Sequence, residues 1–240
     1  KCYIQHSRTI YLNEMKEISI HFFLKWFFKI ILSIFFIIII TLILIRWINP
    51  PITTVILAET LSIERKVNQE WTSVDQIGEN VILSVLASED ANFCNHFGFD
   101  FDEIFKAKEL GFSRGASTIS QQVSKNLLLW RGRSWFRKGL EVIITLMIES
   151  LWSKKRILEI YLNVAETGNG YFGIQAISNK IFSKNSNQLT LKEASFIAAT
   201  LPNPKKRSAK NLSNKLLKRA KSIRVGANTL RLEGRASCVI

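Results

Sequence analysis

The sequence is poor in cysteine, with three in 240 residues. They are Cys2, Cys94 and Cys238, and none stands at the short spacing that metal sites use. This excludes a cysteine-ligated zinc centre and a small scaffold held together by many disulfides. The membrane anchor argued below places Cys2 in the cytoplasm, so only Cys94 and Cys238 could pair on the other side, and they lie far apart in the chain. We therefore predict three free thiols of little functional weight.

Acidic residues are also scarce, because 19 Asp and Glu stand against 33 Lys and Arg, which gives a net charge of +14. The excess is uneven: residues 201–240 hold eleven basic residues and one acid, Glu233. Such a tail suits nucleic acid, anionic lipid headgroups or a pyrophosphate substrate. A membrane anchor, argued next, excludes nucleic acid, since a basic surface outside a cell membrane meets lipid-borne phosphates.

One long apolar run stands out near the amino terminus. From Ile30 to Ile45 the only polar residues are Ser33 and Thr41, and about 20 apolar residues suffice to cross a bilayer. The run has no polar face and no small-residue cleavage site, which favours a retained anchor over a core helix or a signal peptide. Basic residues precede it, so the amino terminus is predicted to stay in the cytoplasm and the rest to lie outside, which in a bacterium means the periplasmic face of the inner membrane.

Helical periodicity dominates the sequence after Ile77, so the predicted fold class is mainly α, preceded by one transmembrane helix. Ser117 or Thr118, then Ser153 and Thr190, are predicted to cap successive helices. The segment 142–148 is apolar enough for a buried strand, although its flanks favour a helix. No alternating strand pattern and no internal repeat is visible. The predicted segments are cytoplasmic residues 1–25, a transmembrane helix at 26–47, a connecting segment at 48–75, a catalytic domain at 76–205 and a basic helical tail at 206–240.

Two acids and the residues between them are the candidate chemistry. Glu89 closes an apolar helix, and Glu141 follows Arg137 by one helical turn, so those two side chains share a face. A small-residue turn and a polar helix face, residues 115–125, lie between the acids. Side-chain amides can hydrogen-bond to sugar hydroxyls, cations can bind phosphate oxygens, and carboxylates can transfer protons. A sugar transferase with a pyrophosphate leaving group needs this set.

Four stretches of the chain carry the most specific pattern: EDANFCNHFG at 89–98, RGASTISQQVSKN at 114–126, RKGLE at 137–141 and KRILEIYLN at 155–163. They resemble the motifs of the peptidoglycan glycosyltransferases (glycosyltransferase family 51), in the family's order. A weaker likeness extends from Pro50 to Pro204. No Ser-x-x-Lys occurs, so the penicillin-binding transpeptidase module is predicted to be absent.

The resemblance implies a lysozyme-like helical domain that polymerises lipid II into β-1,4-linked glycan, with inversion at the donor carbon and release of undecaprenyl pyrophosphate. Glu89 matches the family's general base. Glu141 matches a second acid, which holds a divalent cation, orients its basic neighbours or tunes the site. The residues that match substrate- or pyrophosphate-binding positions are Lys106, Ser117, Thr118, Gln121, Gln122, Lys125, Arg133, Arg137 and Lys138.

No cofactor is obligatory under this interpretation, and a divalent cation (Mg or Mn) stays open at Glu89, Asp90 or Glu141. The expected partners are lipid II, the growing glycan, the membrane and other cell-wall synthesis proteins. His96 is interpreted as structural. One departure from the family is a stretch from Lys106 to Arg114 that is shorter than usual.

Two alternatives remain. A lytic transglycosylase or muramidase shares the fold and a catalytic Glu, but it needs no cations for pyrophosphate and typically has Ser after that Glu, where this chain has Asp90. An inactive, anchored scaffold that binds lipid II is the other alternative, against which the intact Glu89 and Glu141 argue.

Overall fold

The computed structural model describes residues 2–62, 67–109, 111, 115–132 and 134–240, with side chains from residue 22 onward. The chain is 66% helical with little strand, which confirms the mainly α fold class. It forms two compact units, one ending at Trp47 and the other beginning at Ile48.

The first unit is a single helix, α1 (Cys2–Ile45). Its segment Phe22–Ile45 has 24 residues, a mean hydropathy of 3.0, and only 6% of its most apolar window buried. The Thr41 hydroxyl donates to the Ile37 carbonyl at 2.8 Å, so it is satisfied inside the helix. By length and composition this helix can cross a membrane.

The second unit is built from short helices and one small sheet. Two groups of helices pack within it, α3 with α9 and α10, and α5 with α6 and α7. The helices of this unit are α2 (Thr54–Ser62), α3 (Glu79–Glu89), α4 (Phe101–Glu109), α5 (Ile119–Leu128), α6 (Trp135–Leu151), α7 (Lys154–Val164), α8 (Ile174–Phe182), α9 (Leu191–Thr200) and α10 (Asn214–Leu232).

Local capping signals start several of these helices where the sequence predicts. Thr118 opens α5: its hydroxyl accepts from the Gln121 amide at 3.3 Å, and the Gln121 side chain accepts from the Thr118 amide at 3.0 Å. Ser153 and Thr190 cap α7 and α9, which confirms both predictions. Residues 142–148 lie inside α6, as their flanks indicate.

Buried apolar side chains hold the two helix groups together, each stabilising the fold by about 1.5–3 kcal/mol. A polar contact also joins them, because Asp90, directly after α3, accepts from the Ile119 amide at the start of α5 at 2.9 Å. A carboxylate at a helix amino terminus is favourable, since unpaired backbone N–H groups point at it. The largest fully buried side chains here include Leu83, Leu86, Phe93, Ile119, Ile148, Ile157, Leu158, Ile160, Tyr161, Leu162 and Phe172.

Three short strands form a sheet that the sequence pattern does not reveal. They are β1 (Asn68–Gln69), β2 (Glu166–Gly168) and β3 (Tyr171–Phe172), in the order β1-β3-β2. The first pair is parallel and the second antiparallel, with an irregular register between Glu166 and Gly168. Strands of two or three residues are too short to show an alternating pattern.

The prediction of free thiols is wrong for two of the three cysteines. Cys94 and Cys238 form a disulfide, with Cα atoms 5.7 Å apart and a sequence separation of 144. The fold returns the carboxyl terminus to the turn that follows α3, and sequence spacing cannot reveal such a return. The side chain of Cys2 lies outside the described part of the chain.

Candidate active site

Glu89 is the last residue of α3, and its side chain is 11% exposed. Its Oε2 accepts from the Gln122 side-chain amide at 3.2 Å, and its Oε1 accepts from the Ser88 hydroxyl at 3.0 Å. A guanidinium nitrogen of Arg219 lies 3.8 Å from Oε1. Donors on two sides therefore fix the carboxylate while part of it stays accessible.

Asp90, the next residue, is buried and has a different environment. Its Oδ1 lies 2.9 Å from His96 Nε2, and its Oδ2 accepts from the Ile119 amide at 2.9 Å. Asp90 thus connects the end of α3 to the start of α5. His96 contacts this structural carboxylate, which agrees with the structural role predicted for it.

Glu141 is 3% exposed on α6 and faces two cations of its own helix. Its Oε2 accepts from Arg137 Nη1 at 2.9 Å, and its Oε1 accepts from the Lys138 ammonium. The predicted shared face of Arg137 and Glu141 is confirmed by this contact. Arg137 is itself 8% exposed, so this is a pair largely removed from water.

A cleft of about 490 Å³ brings several predicted residues together. Gln122, Lys125 and Arg137 line it, as does Tyr161, whose hydroxyl donates to Gln122 Oε1 at 3.4 Å. Gln122 therefore bridges Tyr161 to Glu89. A second cavity of about 520 Å³ lies beside the small sheet and contains none of the predicted site residues.

The ammonium group of Lys125 faces the cleft and has no ion-pair partner among the described residues. Among the described residues, no carboxylate lies within ion-pair distance of its ammonium group. Burial lowers the pKa of Lys125 below its usual value, the charge of Glu141 opposes this shift, and the cations of α6 reinforce it. A partly buried ammonium group with no acid partner is well suited to bind phosphate oxygens.

Two residues that were predicted to bind substrate make structural hydrogen bonds within the protein. Thr118 and Gln121 are 2% and 4% exposed and cap α5 through their side chains. The Thr118 hydroxyl also donates to the Gly98 carbonyl at 2.6 Å. Gly98 has a φ of +80°, and a Cβ there would lie 2.9 Å from Thr145 Cγ2, so only glycine fits this turn.

The remaining predicted residues lie elsewhere or outside the described residues. Ser117 is exposed in front of α5. Lys106 lies on α4, where its side chain is 59% exposed and pairs with Glu103 at 3.2 Å. Arg133 falls outside the described residues. The structure therefore places Gln122, Lys125 and Arg137 at the cleft, but not Lys106.

The described residues offer no ready-made site for a divalent cation. Among the described residues, no group of three or more His, Cys, Asp or Glu is placed to hold a metal ion. Both oxygens of Asp90 and both oxygens of Glu141 already have donors or cations as partners. Mg²⁺ requires an octahedral set of oxygen ligands, which these carboxylates do not supply.

Comparison with known proteins identifies the family. A family model described as Transglycosylase matches residues 55–227. The chain belongs to the transglycosylase family. Membership makes it a glycosyltransferase, and the second unit is the lysozyme-like helical domain that the resemblance predicts.

Three relatives named biosynthetic peptidoglycan transglycosylase are similar to this family member. The protein of Jannaschia sp. (strain CCS1) is 48% identical over 172 residues, which is 72% of each chain. The protein of Mannheimia succiniciproducens is 53% identical over 148 residues, 60% of this chain and 61% of its own. The protein of Pseudomonas syringae pv. syringae is 45% identical over 201 residues, 78% of this chain and 83% of its own.

Sequence analysis of this transglycosylase missed Arg219 as a residue near the site. It lies on α10, within the segment interpreted as a basic tail, and its Nη2 donates to the Ser88 hydroxyl at 3.0 Å and to the Ser88 carbonyl at 3.4 Å. Only its charge is visible in the sequence, where it is one of eleven basic residues in the last forty. Its proximity to Glu89 depends on how α10 packs on α3.

An ion-pair network beside the cleft was also missed. Glu59, 1% exposed, pairs with Arg131 and accepts from the Lys205 ammonium at 2.7 Å on each oxygen. Burial alone would raise the pKa of Glu59, but these two cations lower it below its usual value. Burial raises the pKa of Glu166, which lies 3.3 Å from Arg131. The network holds Arg131 and Glu166 in the cleft wall.

Proposed function

We propose that this protein polymerises lipid II into the β-1,4-linked glycan strands of peptidoglycan, with release of undecaprenyl pyrophosphate, in bacterial cell-wall synthesis. The shared name of its relatives supports peptidoglycan as the product. The observation that carries the proposal is the arrangement at the cleft: Lys125 has no carboxylate partner among the described residues and lies within electrostatic range of Glu89.

In this mechanism Glu89 is the general base. It removes the proton from the 4-hydroxyl of the acceptor N-acetylglucosamine, and that oxygen attacks C1 of the donor N-acetylmuramic acid with inversion. Gln122 and Ser88 donate to the carboxylate and orient it. Glu89 is assigned as the base because it matches the base of the family's first motif, and its Oε2 accepts from Gln122, which lines the cleft.

Cations stabilise the pyrophosphate as it leaves. Lys125 and Arg137 line the cleft, where fixed positive charges offset the negative charge that develops on the leaving group. Removing one such preorganised group typically costs about 3 kcal/mol in the transition state. Arg133 is assigned the same role on the resemblance of its motif alone.

Glu141, Thr118 and Gln121 have supporting roles in this proposal. Glu141 supplies the negative charge that keeps Arg137 and Lys138 together beside Lys125. Thr118 and Gln121 hold the amino terminus of α5 in place and act on the substrate only through that helix.

We also propose that the second unit lies on the periplasmic face of the inner membrane. The apolar segment Phe22–Ile45 supports an anchor, and the basic residues before it support a cytoplasmic amino terminus. The disulfide adds support, because such bonds form and persist in oxidising compartments rather than in the cytosol.

The test is polymerisation of labelled lipid II by the purified full-length chain and by Glu89→Gln. We expect glycan strands from the wild type and essentially none from the variant. Glu70→Gln is the matched control, because Glu70 is an exposed acid away from the cleft that accepts a hydrogen bond from Asn179 at 2.8 Å. Equal product from Glu89→Gln and wild type would refute the base assignment. Soluble fragments released from finished peptidoglycan would support the lytic alternative.

A further inference from the structure

The carboxyl-terminal segment 213–240, here called the strap, packs against the helix that ends in the proposed base. Its helix α10 contacts α3 and α9. Gly226 allows close approach, since a Cβ there would lie 3.2 Å from the Cβ of Ala87. The strap therefore forms one wall of the structure that positions Glu89. Its buried face consists of Leu216, Ala220, Ile223, Ala227 and Leu230.

Two arginines of the strap hold α3 at its two ends. Arg231 donates to Glu79 and to the Asn80 side chain, each at 2.9 Å, at the start of α3. Arg219 donates to Ser88 at the other end, where the Ser88 hydroxyl lies 3.0 Å from Glu89 Oε1 and 3.1 Å from the Ala198 carbonyl and can donate its one proton to either. The position of the base is thus connected to the strap through the Ser88 hydroxyl and through the Arg219 guanidinium itself, which lies 3.8 Å from Glu89 Oε1.

The last residues of the strap hold the segment that follows the base. Arg235 donates to the Ala91 carbonyl at 3.1 Å and to the Asn92 side chain at 2.5 Å. Cys238 then closes the connection covalently to Cys94. The strap consequently contacts the chain directly before and directly after Glu89.

The disulfide is the strongest of these links near the chain terminus. Beyond α10, which ends at Leu232, the strap is held by Arg235 and by the small buried side chains of Ala236 and Val239. Segments with few buried apolar contacts open readily. Without the bond between Cys94 and Cys238, the end of the strap and the turn after Glu89 would no longer hold each other in position.

We propose that the Cys94–Cys238 disulfide locks the strap so that Arg219, through Ser88, positions Glu89, and that full turnover requires this bond. Arg219 is a positioning residue in this scheme, and the inference rests on the proposed function of Glu89. Oxidation joins the two Sγ atoms and passes two electrons and two protons to a disulfide-carrying oxidant, which becomes a dithiol. Because the cytosol keeps thiols reduced, the enzyme gains full activity only after export.

The redox test uses full-length protein in detergent and labelled lipid II. Oxidised wild type is compared with wild type reduced by a phosphine and with the double variant Cys94→Ser/Cys238→Ser. We expect kcat to fall on the order of 10-fold or more in both, with KM little changed, because a displaced catalytic group costs turnover rather than binding. The double variant should not respond to the phosphine. Equal kcat in the oxidised and reduced wild type would overturn the proposal.

A second set of variants separates positioning from general stability. Arg219→Gln should lose turnover without a matching loss of thermal stability, and Arg219→Lys should recover part of it by keeping the charge. Arg224→Gln is the control, since Arg224 lies on the same helix and has no ion pair within the described residues. Full turnover in Arg219→Gln, or no recovery in Arg219→Lys, would overturn the role of Arg219.

Amide hydrogen exchange at residues 88–95 tests the lock without relying on activity. Protection that rises on oxidation supports it, and equal protection in both redox states overturns it. If oxidised wild type makes no glycan at all, the proposed function fails. The exchange measurement then still tests whether the disulfide restrains residues 88–95.

Discussion

Replacing Glu141 by Gln is expected to destabilise the second unit markedly, since it removes the negative charge between two cations. Arg137 is 8% exposed, and its Nε is a buried nitrogen without a hydrogen-bond partner. The guanidinium therefore depends on Glu141, which its Nη1 contacts at 2.9 Å. Lys138 is 41% exposed at its side chain and can turn to water instead.

The size of the effect follows from that difference in burial. Breaking a buried ion pair by removing one partner costs about 3–5 kcal/mol, whereas an exposed pair contributes about 0–1 kcal/mol. Since Gln keeps a hydrogen-bond acceptor for Arg137, we expect a loss of about 3 kcal/mol. For a unit running from Ile48 to Ile240, each kcal/mol lowers Tm by about 2–4 °C, so the shift is about 6–12 °C.

The assay is thermal unfolding of wild type, Glu141→Gln and the double variant Arg137→Met/Glu141→Leu, followed by circular dichroism. The double variant removes both charges and should recover most of the lost stability, because apolar replacements of buried pairs are often neutral. It should stay slow in lipid II polymerisation, since the cleft has lost the Arg137 cation. A Tm for Glu141→Gln within about 2 °C of wild type would refute the counter-charge role of Glu141.

Two further predictions concern pH and the connection between α3 and α5. Because burial lowers the pKa of Lys125, its ammonium loses its proton at a lower pH than an exposed lysine, and turnover should fall early on the alkaline side. Lys125→Arg should move that limb of the rate–pH profile to higher pH, and an unchanged limb would contradict the assignment. Asp90→Asn weakens the contacts to His96 and to the Ile119 amide, so we expect urea denaturation to show a loss of about 2–4 kcal/mol. A loss below about 1 kcal/mol would show that Asp90 does not hold these helices together.

Local features of the fold were predictable because their causes are local. Thr118 and Thr190 start helices through hydrogen bonds to residues three positions later, so their side-chain types already indicate the cap. The shared face of Arg137 and Glu141 follows from the helical repeat in the same way. The anchor is equally local, since its length and composition alone make it able to span a bilayer.

The sequence by itself determined the mainly α class, the apolar segment and the acids and cations of the four motifs. Only the tertiary structure decided which of them meet: Lys125 and Arg137 at the cleft, Gln122 between Tyr161 and Glu89. It also decided the disulfide, against the predicted free thiols, and the contact of Arg219 with the base. The disulfide and the Arg219 contact join residues more than a hundred positions apart, and the geometry of all these contacts depends on how whole helices pack rather than on any neighbouring residue.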